Sequence, residues 1–220
     1  MQRDLGQHTV KSFDEKLSDI SNLVLEMSKL TIESISLIES AIKGDTALMD
    51  VACDHDKKVN EYDYDISNEV VAFIALRQPK AHDLRFAISA IKVSSNLERV
   101  GDYAKGVVQK ISKSDVNLSQ NYGEDLLKMT KIAQEMVKNA VNSFINNDLE
   151  KSQKVLQKDD EIDQIYRAFF SNFNNSKIDE SSRELINVIF IAKSIERLAD
   201  HASNIAAIVN YVVTGKNNQN

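Results

Sequence analysis

Apolar residues recur every three or four positions along most of the chain, a spacing that places them on one face of an α-helix. The first stripe runs from Phe13 to Ala41. Gly44 then breaks the pattern, and Asp45 is placed to cap the next helix. Six glycines and one proline in 220 residues are too few for the turns of a sandwich or a barrel. The sequence therefore predicts long helices, over 13–41, 46–77, 81–112, 124–146, 147–172 and 180–214.

The breaks between these helices divide them into two groups of three. Pro79 favours an end of the second helix just before it, because the residue that precedes a proline disfavours helical backbone. The segment 113–123 is polar and aperiodic, which is typical of a linker. We therefore expect an all-α fold of two tandem three-helix bundles, over residues 1–116 and 117–220.

A near-repeat relates these two halves. Residues 96–104 read NLERVGDYA, and residues 194–202 read SIERLADHA, 98 positions later. In the preceding helices, Asp56 corresponds to Asp159 at an offset of 103. A self-match at a nearly fixed offset indicates a duplicated structural unit.

Each copy of the repeat carries two carboxylates four residues apart. Glu98 and Asp102 share one helix face in the first copy, as do Glu196 and Asp200 in the second. Both faces are opposite the apolar stripe of their helix, so we expect these carboxylates on the outer face of each bundle and not in its core.

Two further polar pairs have the same spacing. Asp56 and Asn60 lie on the second predicted helix, and Asp159 and Asp163 on the fifth, next to the helices of the repeat. Clustered carboxylates suit hard or borderline cations, and His201 is placed either to add a nitrogen ligand or to cap a surface. Two interpretations stay open from the residues alone: a metal site in each bundle, or solvated polar faces.

Composition narrows the class of protein. The net charge of −6 weighs against free-standing nucleic-acid binding, which needs a basic face. Cys53 is the single cysteine, which suits a reducing compartment. The first residues lack the apolar run of a signal peptide, and no stretch approaches the ~20 apolar residues of a membrane span. We therefore expect a cytoplasmic protein that meets a membrane only through partners.

Several segments together resemble the PhoU family of phosphate-transport regulators. Residues 77–85, RQPKAHDLR, are similar to its Arg-Gln-Pro-x-x-x-Asp-Leu-Arg signature, and both copies of the repeat resemble its Glu-Arg-x-Gly-Asp motifs. The opening 8–15 and the closing 211–215 also fit. The resemblance covers essentially the whole chain.

The resemblance implies two three-helix bundles related by a pseudo-twofold axis, with metal clusters at the bundle surface. The resemblance implies iron or zinc as the metal, and the carboxylate ligands equally suit manganese or magnesium. The implied metal ligands are Glu98, Asp102, Glu196, Asp200, Asp56, Asp159 and Asp163. Tyr103 stands where a histidine often follows the first Asp, Asn60 replaces a possible carboxylate, and Ala199 replaces the usual glycine. The first two changes weaken the first-bundle site, so we expect the second bundle to bind metal better.

The resemblance also implies a function without catalysis. Such proteins are negative regulators that link the ATPase subunit of the phosphate transporter to the sensor histidine kinase of the phosphate regulon, and a homodimer is expected by analogy. Pro79 fixes the corner between the second and third helices. Either Arg77 and Arg85 pair with Asp83 and hold this corner locally, or the corner docks a partner. The residues expected to face partners are Arg77, Asp83, Arg85, Arg99 and Arg197.

Two other classes of function remain as alternatives. One is a carboxylate-bridged di-metal enzyme, although the chain has no Glu-x-x-His and its carboxylates are expected to face outward. No Gly-rich phosphate loop appears either, which weighs against nucleotide hydrolysis. The other is a metal-independent adaptor whose carboxylates contact basic partner surfaces directly.

Overall fold

A computed structural model describes residues 5–45, 47–113, 118, 122–174 and 182–216, and its side-chain detail covers 15–45, 47–113, 118, 122–171 and 186–216. Six long helices account for nearly all of these residues. They are α1 (Leu5–Ile42), α2 (Met49–Arg77), α3 (Ala81–Ser112), α4 (Gly123–Asn146), α5 (Leu149–Asn174) and α6 (Ser182–Thr214). The all-α prediction is confirmed.

Most helix ends fall within two residues of the predicted ones. α2 ends at Arg77, where Gln78 adopts the left-handed conformation (φ 48°) and its N–H bonds to the carbonyl of Ile74. Asn147 ends α4 in the same way (φ 53°). These residues close the last helical turn, a role in which Asn is tolerated and glycine is commoner.

The predicted cap at Asp45 is wrong. α2 begins only at Met49, and its N-cap residue Leu48 makes no side-chain cap. Asp45 Oδ1 instead accepts a hydrogen bond from the Ala47 N–H, 3.1 Å away, within a turn of its own. Asp148, its counterpart in the second half, does cap a helix: Oδ1 accepts from the Lys151 N–H at 2.9 Å.

The helices form two bundles of three that share one interface. α1, α2 and α3 contact one another, as do α4, α5 and α6, while α3 packs on α6 and α1 packs on α4. At this interface the rings of Phe86 and Phe144 stack nearly parallel, with centroids 4.8 Å apart. The apolar core therefore runs without a break from one bundle into the other. The predicted boundary at 116 and 117 lies outside the described residues.

Equivalent residues of the repeat meet where α3 crosses α6. Tyr103 and His201 occupy the same position in the two copies, and their rings lie 5.7 Å apart. His201 Nδ1 also lies 2.9 Å from Asn96 Oδ1 of α3. A residue that contacts its own counterpart lies at the local symmetry axis, so the two bundles are related by a pseudo-twofold axis through this contact.

Candidate metal and partner-binding sites

The first-bundle site lies where α2 and α3 approach closely. Gly101, in the centre of the first repeat motif, is buried, and a Cβ at this position would lie 3.3 Å from Val59 Cγ1 of α2. The missing side chain lets the two helices come together. The polar residues that flank this contact, Asp56 on α2 and Asp102 on α3, are therefore brought to one edge of the helix pair.

Lys105 joins these two carboxylates. Its Nζ donates to Asp56 Oδ2 at 2.6 Å and to Asp102 Oδ1 at 3.3 Å. Burial acts to lower the pKa of Lys105, but the bonds to Asp56 and Asp102 outweigh it and raise the pKa above its ordinary value. The first-bundle site thus contains a fixed ammonium group that the sequence analysis missed.

Glu98 lies in the same cluster. Its side chain is half-buried, and Arg99 Nε lies 3.3 Å from Glu98 Oε2, while Arg99 Nη1 lies 3.5 Å from Asp102 Oδ2. Burial raises the pKa of Glu98, the Asp102 charge raises it further, Arg99 opposes the shift, and Asp63 adds to it. Asp63, also absent from the predicted set, accepts a 2.6 Å hydrogen bond from the Ser94 hydroxyl.

The second-bundle site brings together four carboxylates from α5 and α6. Burial raises the pKa of Asp159, Ser203 opposes this shift, and the charges of Asp163 and Glu196 add to it. Burial likewise raises the pKa of Asp200, and the charges of Glu196 and Asp159 raise it further. Carboxylates of α5 and α6 thus raise one another's pKa across the contact between these two helices.

Glu196 is the most enclosed of these carboxylates. Its residue exposure is 7%, so the expectation that it lies on an outer face is wrong. The reason is that α6 packs against three helices, α3, α4 and α5, so more of its circumference is covered than its main apolar stripe. Lys193 Nζ lies 2.6 Å from both carboxylate oxygens and donates a hydrogen bond to Oε1.

The donor atoms of the second bundle fit a cation in their chemistry. Carboxylate and hydroxyl oxygens suit hard cations, and among the described residues Glu196 Oε2 and Ser203 Oγ are both buried, with Oε2 lying 2.6 Å from Lys193 Nζ. Across those same residues, however, no three or more His, Cys, Asp or Glu side chains are already arranged to hold a metal ion. Metal would therefore draw Asp159, Glu196 and Asp200 closer together, while Asp163 pairs with Arg167 at 3.0 Å.

The corner between α2 and α3 has contacts of two kinds. Arg85 Nε donates to the carbonyl of Val212 near the end of α6, 3.1 Å away, so this side chain secures the second bundle to the first. Asp83 Oδ1 lies 3.6 Å from His82 Nδ1. Arg77 and Asp83 stand at the surface of this corner, Arg77 being exposed and Asp83 partly so.

The two arginines of the repeat motifs behave differently. Arg99 is exposed and reaches along α3 to Glu98 and Asp102, as its distances show. Arg197 instead directs Nη1 to the Tyr103 hydroxyl across the bundle interface, 3.4 Å away. His201 likewise contacts α3. Burial lowers the pKa of His201, and the positive charges of Arg99 and Arg197 lower it further. The polar ends of His201 and Arg197 are thus directed to Asn96 and Tyr103 of α3.

Comparison with known proteins identifies the fold and the repeat together. The family model described as the PhoU domain matches residues 18–111 and, a second time, residues 126–209, once in each bundle. The chain belongs to the PhoU family. A Zymomonas mobilis relative, named phosphate-specific transport system accessory protein PhoU homolog, is 34% identical over 95% of this chain and 90% of its own length. A Caulobacter vibrioides relative of the same name is 29% identical over 96% of this chain and 94% of its own.

Solved PhoU structures agree with the architecture. PhoU from Pseudomonas aeruginosa superposes with a TM-score of 0.83 at 29% identity, covering 93% of this chain and all of the other. The phosphate transport system regulatory protein PhoU from Streptococcus pneumoniae superposes with a TM-score of 0.85 at 28% identity, covering 93% and 98%. The resemblance and the tandem-bundle fold are thus confirmed. Within the described part of the chain, no helix has the length and apolar character needed to cross a membrane.

Proposed function

We propose that this PhoU-family chain is a negative regulator of the phosphate regulon. In this proposal it is an adaptor that couples the ATPase subunit of the phosphate transporter to the sensor histidine kinase when phosphate is plentiful. The observation that carries the proposal is the match of both bundles to the PhoU domain, because it places the whole body in one family. Its relatives are named as an accessory protein and a regulatory protein of phosphate transport, which supports the same role.

The partner surface belongs to this proposal. We place it at the corner and along α3, where Arg77, Asp83 and Arg99 stand at the surface. Arg85 and Arg197 support this surface indirectly. Their polar ends contact Val212 and Tyr103 of the chain itself, so they hold α3 against α6. The proposal includes a homodimer, which light scattering of the purified protein tests directly by its mass.

Alkaline phosphatase activity in phosphate-rich medium tests the regulatory role. Deletion of the gene in its source bacterium is expected to raise this activity, and restoring the gene is expected to silence it. An Arg77→Glu/Asp83→Lys variant of the restored gene is expected to leave the activity high, while Lys57→Glu, an exposed change elsewhere on α2, silences it like wild type. Low activity after deletion would contradict negative regulation.

We further propose that the second-bundle cluster holds a metal cation, of which Fe, Zn, Mn and Mg are the candidates. Asp159, Glu196 and Asp200 would be its ligands. These carboxylates repel one another, and a bound cation would neutralise their charge. Protein purified without chelator is expected to carry metal that a Glu196→Ala/Asp200→Ala variant loses. A Glu150→Ala variant on exposed α5 surface is the control, and equally low metal in all three proteins would contradict the site.

A further inference from the structure

The two carboxylate sites differ at one equivalent position. The offset of 98 that pairs Glu98 with Glu196 and Asp102 with Asp200 pairs Lys105 with Ser203. The helices that carry these residues occupy corresponding places in the two bundles. The same scaffold therefore presents an ammonium group in one copy and a hydroxyl group in the other.

In the first bundle Lys105 is placed as a metal ion would be. Its Nζ contacts a carboxylate from each of two helices, Asp56 on α2 at 2.6 Å and Asp102 on α3 at 3.3 Å. The Asp56 side chain is only 14% exposed and that of Lys105 30%, so the bridge is largely shielded from water. Such charge-assisted hydrogen bonds are stronger than neutral ones.

In the second bundle the same carboxylates lack these partners. Within the described part of the chain, Asp159 and Asp200, which correspond to Asp56 and Asp102, have no Lys or Arg within ion-pairing distance. Arg197 is turned to Tyr103. Lys193 forms its ion pair with Glu196, and its charge also lowers the pKa of Asp200, although Lys193 lies beyond ion-pairing distance of Asp200. Ser203 Oγ is buried and its hydroxyl is uncharged, so this position offers an oxygen and no ammonium group.

We propose that Lys105 is a resident cation which takes the place of metal in the first bundle, so that this chain binds metal in one repeat only. The inference deepens the proposed metal site, and it adds a reason for the difference between the bundles. A fixed ammonium group between Asp56 and Asp102 both neutralises them and occupies the space that a metal ion needs. The first bundle is then held together at this site whatever the metal supply.

Exchange of the two equivalent residues tests the inference. Bound Mn²⁺ is counted from the loss of the free-ion electron paramagnetic resonance signal, and unfolding temperature is followed with and without Mn²⁺. Wild type is expected to bind about one Mn²⁺ per chain and Lys105→Ser about two, with a new Mn²⁺-dependent rise in unfolding temperature. Ser203→Lys is expected to bind about none. Lys105→Arg, which keeps the charge, is expected to bind as wild type does.

A second set of variants leaves Lys105 in place. Glu98→Gln/Asp102→Asn is expected to leave the Mn²⁺ count of the wild-type protein unchanged, and Glu196→Gln is expected to lower it. A folded Lys105→Ser protein that gains no Mn²⁺ would overturn the inference, as would loss of Mn²⁺ on changing Glu98 and Asp102. If wild type binds no Mn²⁺, the proposed second-bundle site fails, while a gain in Lys105→Ser still supports the role of Lys105.

Discussion

Equivalent carboxylates in the two bundles have opposite electrostatic surroundings. Asp102 lies between Lys105 at 3.3 Å and Arg99 at 3.5 Å, whereas the neighbours that act on Asp200 are chiefly the charges of Glu196 and Asp159. Removing the same charge at the two positions should therefore change the free energy of unfolding in opposite directions.

We predict that Asp200→Asn stabilises the metal-free protein at pH 7 by roughly 0.5 kcal/mol, because it removes a repulsion between like charges four residues apart on α6. Asp102→Asn should destabilise it by a comparable roughly 0.2–1 kcal/mol, because it removes partners of Lys105 and Arg99. Urea unfolding in the presence of a chelator measures both. The same sign for the two variants would show that their surroundings do not differ in this way.

The gain from Asp200→Asn should also depend on pH. Burial and neighbouring charges raise the folded-state pKa of Asp200 above its unfolded value of about 3.9. Below that unfolded value both states are protonated and there is no penalty. As the pH rises through the folded-state pKa, the native state loses stability that the Asn variant keeps. We therefore expect the difference between variant and wild type to be full at pH 7 and to vanish near pH 4. A difference that grows towards acid pH would contradict the raised pKa.

The spacing of two helices depends on a single glycine. Gly101 lets α2 approach α3, since a Cβ there would meet Val59 Cγ1 at 3.3 Å, while the second bundle has Ala199 at the equivalent position. Gly→Ala in a helix interior is worth about 1 kcal/mol of intrinsic propensity. Close contact with the buried Val59 side chain opposes that gain.

A double-mutant cycle separates these two effects. We predict that Gly101→Ala is more favourable in a Val59→Ala background than in wild type, with a coupling of at least about 0.5 kcal/mol. The Val59→Ala change opens the space that the new methyl group needs. Urea unfolding of the four proteins gives the coupling, and Gly106→Ala, where a Cβ meets nothing within 4 Å, is the control that should show none. Additivity of Gly101→Ala and Val59→Ala would contradict the contact.

The sequence was sufficient for the helices but not for every face of them. Pro79 and the polar break before Gly123 mark ends that depend on local chemistry, so these ends are predictable. The enclosure of Glu196 was not predictable in this way. The apolar stripe of α6 does not reveal that the helix packs against three others, which cover more than that stripe. The exchange of Lys105 for Ser203 is visible in the aligned repeat, but its meaning needed the 2.6 Å contact with Asp56.

The two bundles should behave as one folding unit. Their interface joins α3 to α6 and α1 to α4, and the stacked rings of Phe86 and Phe144 lie within a continuous apolar core. Arg85 adds a polar contact from the start of α3 to the end of α6. Separating the bundles would expose this core to water, which disfavours an intermediate with only one bundle folded.

We predict a single urea transition in which loss of helix, followed by circular dichroism, coincides with exposure of Cys53, followed by thiol labelling. Cys53 is the only cysteine and is partly buried on α2, so it reports on the first bundle alone, whereas circular dichroism reports on both. Phe144→Ala, a change in the second bundle, should cost about 3–5 kcal/mol and move both transitions together. The exposed change Phe170→Ala on α5 should move neither transition by much.

If Phe144→Ala shifted the circular dichroism transition and left Cys53 protected to the original urea concentration, the first bundle would fold independently. The shared core would then be a docking interface between two domains.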